Sequence, residues 1–414
     1  MRKLLTTAAA VAMPVLLIVA VTKSASANGR PPADVSQTAE TASVTSTECL
    51  TGTQDSGAEY LICQPADWDS GGDLLVYAHG YMAPDRDIEI PRDQMVIDGI
   101  SITETVSFLG YAFATSSYSE NGLAVRPAIS DLLDVVNIFT EAWGIPDRVY
   151  LVGVSEGGLI TALSLEQHAD VYDGGLAMCG PYGDFQGQVN HFGDFRIVFD
   201  YFFPELMPGS PVTITEDVVA EWESGLFTDT IKGEIEAAKN VTRVNQLLEV
   251  TGVSPYGYDP LTSTESIRQL LWYNVYATED AKTKLGGQPF DNRDRDYAGS
   301  LDDDALNADV ARISGNPEAM SAIAEHYQTT GNLQGPLVTL HTTGDEVVPY
   351  WHMTRYADKT TAAGRSHLHA HFTVDRHGHC NFDVADILEG FSHLLEMPEY
   401  PYRVLLPMAL HAYP

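Results

Sequence analysis

The segment Leu74–Ala78 reads Leu-Leu-Val-Tyr-Ala, an apolar run with no polar residue at alternate positions. A strand with one wet face would alternate, so this run requires cover on both faces, the condition of a parallel sheet sandwiched between helices. Similar runs stand at 111–115, 149–152, 175–178, 337–341 and 369–374, each followed by turn residues or a helical pattern. The clearest helix opens at Pro127, sets Ile129, Leu132, Leu133, Val136, Phe139 and Trp143 at three- and four-residue steps, and stops at Gly144. Strands that alternate with helices in this way predict an α/β fold, a mostly parallel sheet with helices on both faces.

Between Asp184 and Thr330 the alternation lapses into segments of mixed helical character, which reads as a large insertion. A chain of 414 residues has room for one large domain with such an insertion, or for two domains. Against 57 acidic residues stand 23 Lys and Arg, a net charge of −34. That charge repels nucleic acid and anionic membrane surfaces, so neither is expected as a partner.

Met1-Arg2-Lys3, an apolar run over 4–21 and Ala25-Ser26-Ala27 have the form of a secretory signal with its cleavage site. The run is short and broken by Thr6, Thr7 and Pro14, which argues for a removable peptide over 1–27 rather than a permanent anchor. Residues 28–47, rich in Ser, Thr, Ala and Pro, read as a flexible leader. All four cysteines lie beyond it, and an even count in an oxidising compartment suggests two disulfides.

The most informative local sequence is Val149-Tyr150-Leu151-Val152-Gly153-Val154-Ser155-Glu156-Gly157-Gly158, a G-x-S-x-G between a strand and a helical run. The motif works as a strained turn that lifts the serine above the edge of the sheet, with small residues keeping the turn free of clashes. A serine hydroxyl is a poor nucleophile at neutral pH and needs a histidine base oriented by an acid. The strand over 337–341 leads into Thr342-Thr343-Gly344-Asp345-Glu346, which offers Asp345 as the acid and Glu346 as its alternative. The last strand leads into His377-Gly378-His379-Cys380-Asn381-Phe382, where His379 is the expected base and His377 the alternative. This chemistry calls for no metal and no cofactor.

G-V-S-E-G, G-D-E-V-V-P and G-H-C-N-F, in that order, resemble the secreted branch of the α/β-hydrolase superfamily. The resemblance covers most of 48–183 and 331–414, the two parts of the expected hydrolase core, and places a cap at 184–330. It implies an oxyanion hole from the backbone N–H groups of Glu156 and Tyr81. His379-Cys380 is similar to the tannase and feruloyl-esterase group, which has a second cysteine directly before the nucleophile; here that position is Val154. The implied activity is cleavage of carboxylic esters, small or polymer-derived, through an acyl-enzyme. A serine peptidase of aminopeptidase type is the alternative, and 28–47 leaves no room for the propeller that larger peptidases of this fold carry. A binding module on a dead hydrolase fold is disfavoured because both serine and histidine are kept.

The dense aromatic stretch after residue 182 offers Phe185, Phe192, Phe195 and Phe199 as the lining of an apolar substrate pocket or, equally, as the cap's own core. Cys49 and Cys63 bracket turn residues between two short extended runs, so a hairpin would pair them. Cys179 ends the strand beside the nucleophile strand and Cys380 adjoins His379, so these two are expected to form the second bridge; the other pairings stay open. His367, His369 and His371 would share one strand face but lack a further ligand at a familiar spacing, and Asp291, Asp294, Asp296 and Asp302 to Asp304 lack the EF-hand spacing, so solvated side chains are expected at both.

Overall fold

The computed structural model describes residues 47–397 apart from 69–70, 98 and 254–259. The expected signal peptide, and all but the last residue of the leader, lie outside the described residues. Eight strands form one sheet: β1 (Thr47–Thr53), β2 (Glu59–Pro65), β3 (Leu74–Ala78), β4 (Ala112–Ser116), β5 (Val149–Val154), β6 (Gly174–Met178), β7 (Leu337–Gly344) and β8 (His369–His377). Their spatial order is β1-β2-β4-β3-β5-β6-β7-β8. The β1–β2 hairpin and the β2–β4 pair are antiparallel, and every later pair is parallel.

Helices α1 (Ile102–Phe108), α2 (Val125–Trp143) and α3 (Glu156–Gln167) lie in the first half of the chain. The longer helices between β6 and β7 are α4 (Phe185–Phe202), α5 (Glu216–Glu223), α6 (Val241–Thr251), α7 (Pro260–Leu285), α8 (Asp303–Asp309) and α9 (Pro317–His326). Two follow β7 and β8: α10 (Trp351–Ala362) and α11 (Val384–Glu396).

The run Leu74–Ala78 is apolar throughout because both faces of the sheet are covered. Leu74, Val76 and Ala78 pack with Leu132 of α2 and Leu159 of α3, while Leu75 and Tyr77 face Val106 of α1 and Phe391 of α11. The helices between β6 and β7 gather a third apolar cluster of their own, with Phe199, Leu247 and Leu270 at its centre. Among the described residues no helix is long and apolar enough to cross a membrane.

Two boundaries differ from expectation. Helix α2 begins at Val125, two residues early, which leaves Pro127 in the first turn, where the missing N–H costs nothing. The final strand runs on to His377, and His367 sits in the turn Ser366–Leu368 before it, so the three histidines do not share a strand.

Candidate active site

The site is built on the turn from β5 into α3. Ser155 holds φ 57° and ψ −119°, outside the comfortable range for a side-chain-bearing residue. The glycines beside it are dictated by close approach: a Cβ at Gly153 would stand 2.0 Å from the carbonyl oxygen of Gly157, and one at Gly157 would stand 2.0 Å from that of Ala78. The Ser155 N–H donates to the Met178 carbonyl at the end of β6 (2.9 Å), which fixes the turn against the next strand. Strain of this kind persists only where neighbouring structure holds it.

Asp345, in the turn after β7, and His379, in the turn after β8, converge on this serine. His379 Nδ1 lies 2.8 Å from Asp345 Oδ2, and Nε2 lies 2.9 Å from Ser155 Oγ. A carboxylate only accepts, so Nδ1 carries the proton and Nε2 is left to accept from the serine hydroxyl. Burial opposes the charged forms of both groups. Their mutual attraction outweighs it, holding Asp345 below the usual carboxylate range with help from His341 and lifting His379 above the usual imidazole value.

The acid turn is held from several sides. Asp345 Oδ1 accepts from the N–H groups of Val347 (3.0 Å) and Val348 (2.8 Å). His341 donates from Nε2 to the Val348 carbonyl (2.8 Å) and accepts at Nδ1 from the Tyr182 hydroxyl (3.1 Å). Helix α4 clamps the turn from the other side, with Gln188 donating to the Val347 carbonyl (2.7 Å) and His191 to that of Glu346 (2.9 Å). The alternatives fall elsewhere. Glu346 is fully buried with neither oxygen hydrogen-bonded among the described residues, and burial, with the Asp345 charge beside it, pushes its carboxyl up to about 7. His377 Nε2 lies 3.4 Å from Ser266 Oγ and 4.0 Å from Glu346, away from the serine.

The resemblance implied Tyr81 and Glu156 as the backbone donors of an oxyanion hole. The N–H groups of Tyr81 and Glu156 have no acceptor among the described residues, while Gly80 N–H is committed to Gln94 Oε1 (2.8 Å). The Glu156 side chain is buried, accepts from Ala124 N–H (2.9 Å), and is pushed up to about 8 by burial, against the pull of that bond and of Lys284. Sequence reading missed Tyr273 of α7, which lines both cavities beside Ser155 and whose ring stacks on Phe192 at 4.9 Å. No local signal marks it, since helical spacing does not say which turn of a long insertion helix reaches a distant serine. Gln94, Gln188, His191 and His341 were missed as well, since a hydrogen bond between segments distant in sequence leaves no local pattern.

Ser155 stands between two apolar cavities. The smaller, about 140 Å³, lies under α4 and α7 and is lined by Phe185, Val189, Phe192, Tyr273 and Val347. The larger, about 350 Å³, runs from Ser155 and His379 along the sheet face that carries α1 and α11. Of the four expected pocket aromatics, Phe185 and Phe192 border the smaller cavity. The structure puts Phe195 and Phe199 instead in the insertion's own core, both fully buried.

Cys49 is bridged to Cys63, its direct partner across the β1–β2 hairpin, and Cys179 to Cys380. Cys380 Sγ lies 3.4 Å from His379 Nε2, so the second bridge borders the His379 imidazole. Cys179, His379 and Cys380 are the one group of three close potential metal ligands among the described residues, and the bridge ties up both sulfurs. His369 is engaged by Thr339 (2.9 Å) and Thr360 (3.3 Å). In the acidic loop Asp291 pairs with Arg293 and Asp302 caps α8, while Asp294 and Asp296 are exposed.

A sheet in this strand order, with a serine on the strained turn after its fifth strand, a carboxylate after the seventh and a histidine after the eighth, is the α/β-hydrolase fold. No family model matches the chain. An o-phthalyl amidase of Xanthobacter agilis is similar over 419 residues at 24% identity, spanning 83% of this chain and 86% of the amidase. Among solved structures, an acylaminoacyl peptidase of Pyrococcus horikoshii superposes with a TM-score of 0.45 at 10% identity, over 88% of this chain and 44% of the peptidase, so this chain spans less than half of that protein. An esterase of Pyrococcus furiosus gives a TM-score of 0.43 at 11% identity, over 89% of this chain and 95% of the esterase.

Proposed function

We propose that the protein is an exported serine hydrolase that cleaves carboxylic esters through an acyl-enzyme. The observation that carries this reading is the unbroken line from Asp345 through His379 to Ser155, with 2.8 Å and 2.9 Å contacts, on a strained strand-to-helix turn. In the proposed reaction Ser155 Oγ attacks the ester carbonyl while His379 Nε2 takes the hydroxyl proton. The N–H groups of Tyr81 and Glu156 receive the oxyanion. Collapse breaks the C–O bond, and His379 returns the proton to the leaving alkoxide as the alcohol departs. Water then attacks the acyl carbon with His379 again as base, releasing the acid and the free serine. Asp345 keeps the imidazole in the required tautomer and stabilises its charged form.

The segment 184–330 acts in this reading as a cap, since α4 and α7 cover Ser155 and Phe185 and Phe192 border the cavity beneath them. The signal-like residues 1–27 and the two bridges support export. The two apolar cavities suit the uncharged substituents of an ester. A second reading, hydrolysis of amides or peptides, is favoured by the similarity to an amidase; it uses the same residues, with His379 protonating a leaving amine. Matched aryl esters and anilides of the same acids, given to the purified protein, separate the two. Esters are expected to turn over faster by a wide margin, whereas efficient anilide cleavage would make the protein an amidase.

A further inference from the structure

The larger cavity beside Ser155 owes its existence to how two helices share one face of the sheet. Helix α1, only seven residues long, packs over β2 and β4, and α11 packs over β6 and β7. The strip above β3 and β5 between them is left as a channel, with Gly80, Ser155 and His379 at its mouth and Val152, Leu176 and Leu75 along its floor. From Gly80 back to Leu75 the channel follows the turn after β3 and then β3 itself, five residue steps or roughly 16 Å if extended throughout. Its walls are apolar, Val106 and Ile387 among them, and the Tyr77 hydroxyl in its floor is already spent on the Gln94 carbonyl. Water there would find few partners. The far rim carries Ile100, Leu109 and Leu388, each at least 36% exposed, so the channel opens onto an apolar lip.

We propose that this channel holds a linear alkyl chain of the ester, about ten to twelve carbons at about 1.3 Å per methylene, while the compact half of the substrate occupies the smaller cavity. The proposal rests on the ester reading above and adds the substrate class. His379 lines the channel and not the smaller cavity. The leaving oxygen takes its proton from His379, which places the alcohol's chain in the channel; the acyl chain is the other source of the same chemistry.

Two ester series distinguish these sources, acetates of linear alcohols from ethyl to dodecyl and 4-nitrophenyl esters of linear acids over the same lengths. In one series kcat/KM should rise roughly two- to fourfold per methylene until the channel is full. Ile387→Glu, at a half-buried position of α11, should abolish that rise, read as the ratio of longest-chain to shortest-chain kcat/KM within the variant. Leu176→Phe, deeper in the floor, should shorten the optimal chain. Calorimetric titration with 1-decanol reads the channel without catalysis: saturable binding that Ile387→Glu removes is expected even if no ester is cleaved, an outcome that would sink the ester reading alone. Short esters cleaved without chain-length dependence, a rise that both variants leave intact, or no binding of 1-decanol would overturn the channel proposal.

Discussion

Ser155, Asp345 and His379 come from three segments that meet only because β5, β7 and β8 end at the same edge of the sheet. Acting as a unit, they should respond alike to removal: Ser155→Ala, His379→Ala and Asp345→Asn should each lower kcat by roughly 10⁴ or more with the fold retained. His377→Ala should spare activity, and loss of activity there with His379→Ala active would exchange the two histidines. Because His379 must be neutral to take a proton and its pKa is raised, kcat/KM should fall on acidification with a midpoint above that of an ordinary imidazole. Asp345→Asn should move the residual profile's midpoint down; an unmoved midpoint would mean that the carboxylate does not set it. Glu156 gives a stability test of opposite kind. Its carboxyl is raised from 4.5 to about 8, so the folded state holds a proton that the unfolded chain gives up, and stability is full below about 4.5 and declines as pH rises toward 8. Glu156→Gln should flatten that decline, gaining in Tm over the parent chiefly at alkaline pH, whereas parallel melting profiles would leave Glu156 without a part in it. The strained turn at Ser155 was legible because it leaves its signature in five adjacent residues. Asp345 and His379 were preferred in the sequence over their neighbours Glu346 and His377, and the fold brings this pair to Ser155.

Helix α4 shows where periodicity stops being informative. At 3.6 residues per turn Phe185, Phe192, Phe195 and Phe199 fall within about 80° of one another, a single stripe whose members the sequence cannot tell apart. Their fates divide along the helix axis instead. The first two rings border the cavity at Ser155, and the last two lie deeper among the insertion's own helices. Phe192→Ala and Phe185→Ala should therefore change the ratio of small-acyl to aryl-acyl turnover, with roughly 1–3 kcal/mol of discrimination at stake per ring. Phe195→Ala and Phe199→Ala should cost about 3–5 kcal/mol of stability and leave that ratio alone. Denaturant titration beside a two-substrate assay checks all four, and a selectivity change at Phe199 without loss of stability would contradict the division.

Over the whole molecule, the bridge from Cys179 to Cys380 joins the end of β6 to the histidine turn across 201 positions of sequence. Both cysteines hold left-handed backbone, φ 45° and 52°, in the two turns that the bridge connects. In the entropic account, closing so long a loop restricts the unfolded chain by roughly 5 kcal/mol, an upper figure. Cys380→Ser should lower both Tm and kcat, and Cys63→Ser, at the hairpin far along the sheet, chiefly Tm; equal effects on turnover would deny the bridge its place beside the base. The mostly parallel sheet was legible because buried parallel strands carry an unbroken apolar pattern. The clamp that α4 places on the acid turn was not, since hydrogen bonds from Gln188 and His191 to main-chain carbonyls leave no pattern in sequence. The central claim is that these distant segments make Ser155 a nucleophile. Its most direct measurement is covalent labelling with a fluorophosphonate, followed by peptide mapping and by the labelling rate of His379→Ala. One label per chain, on the peptide containing Ser155, with a rate that collapses in the histidine variant, is the predicted result; a label on another residue, or equal rates with and without His379, would contradict it.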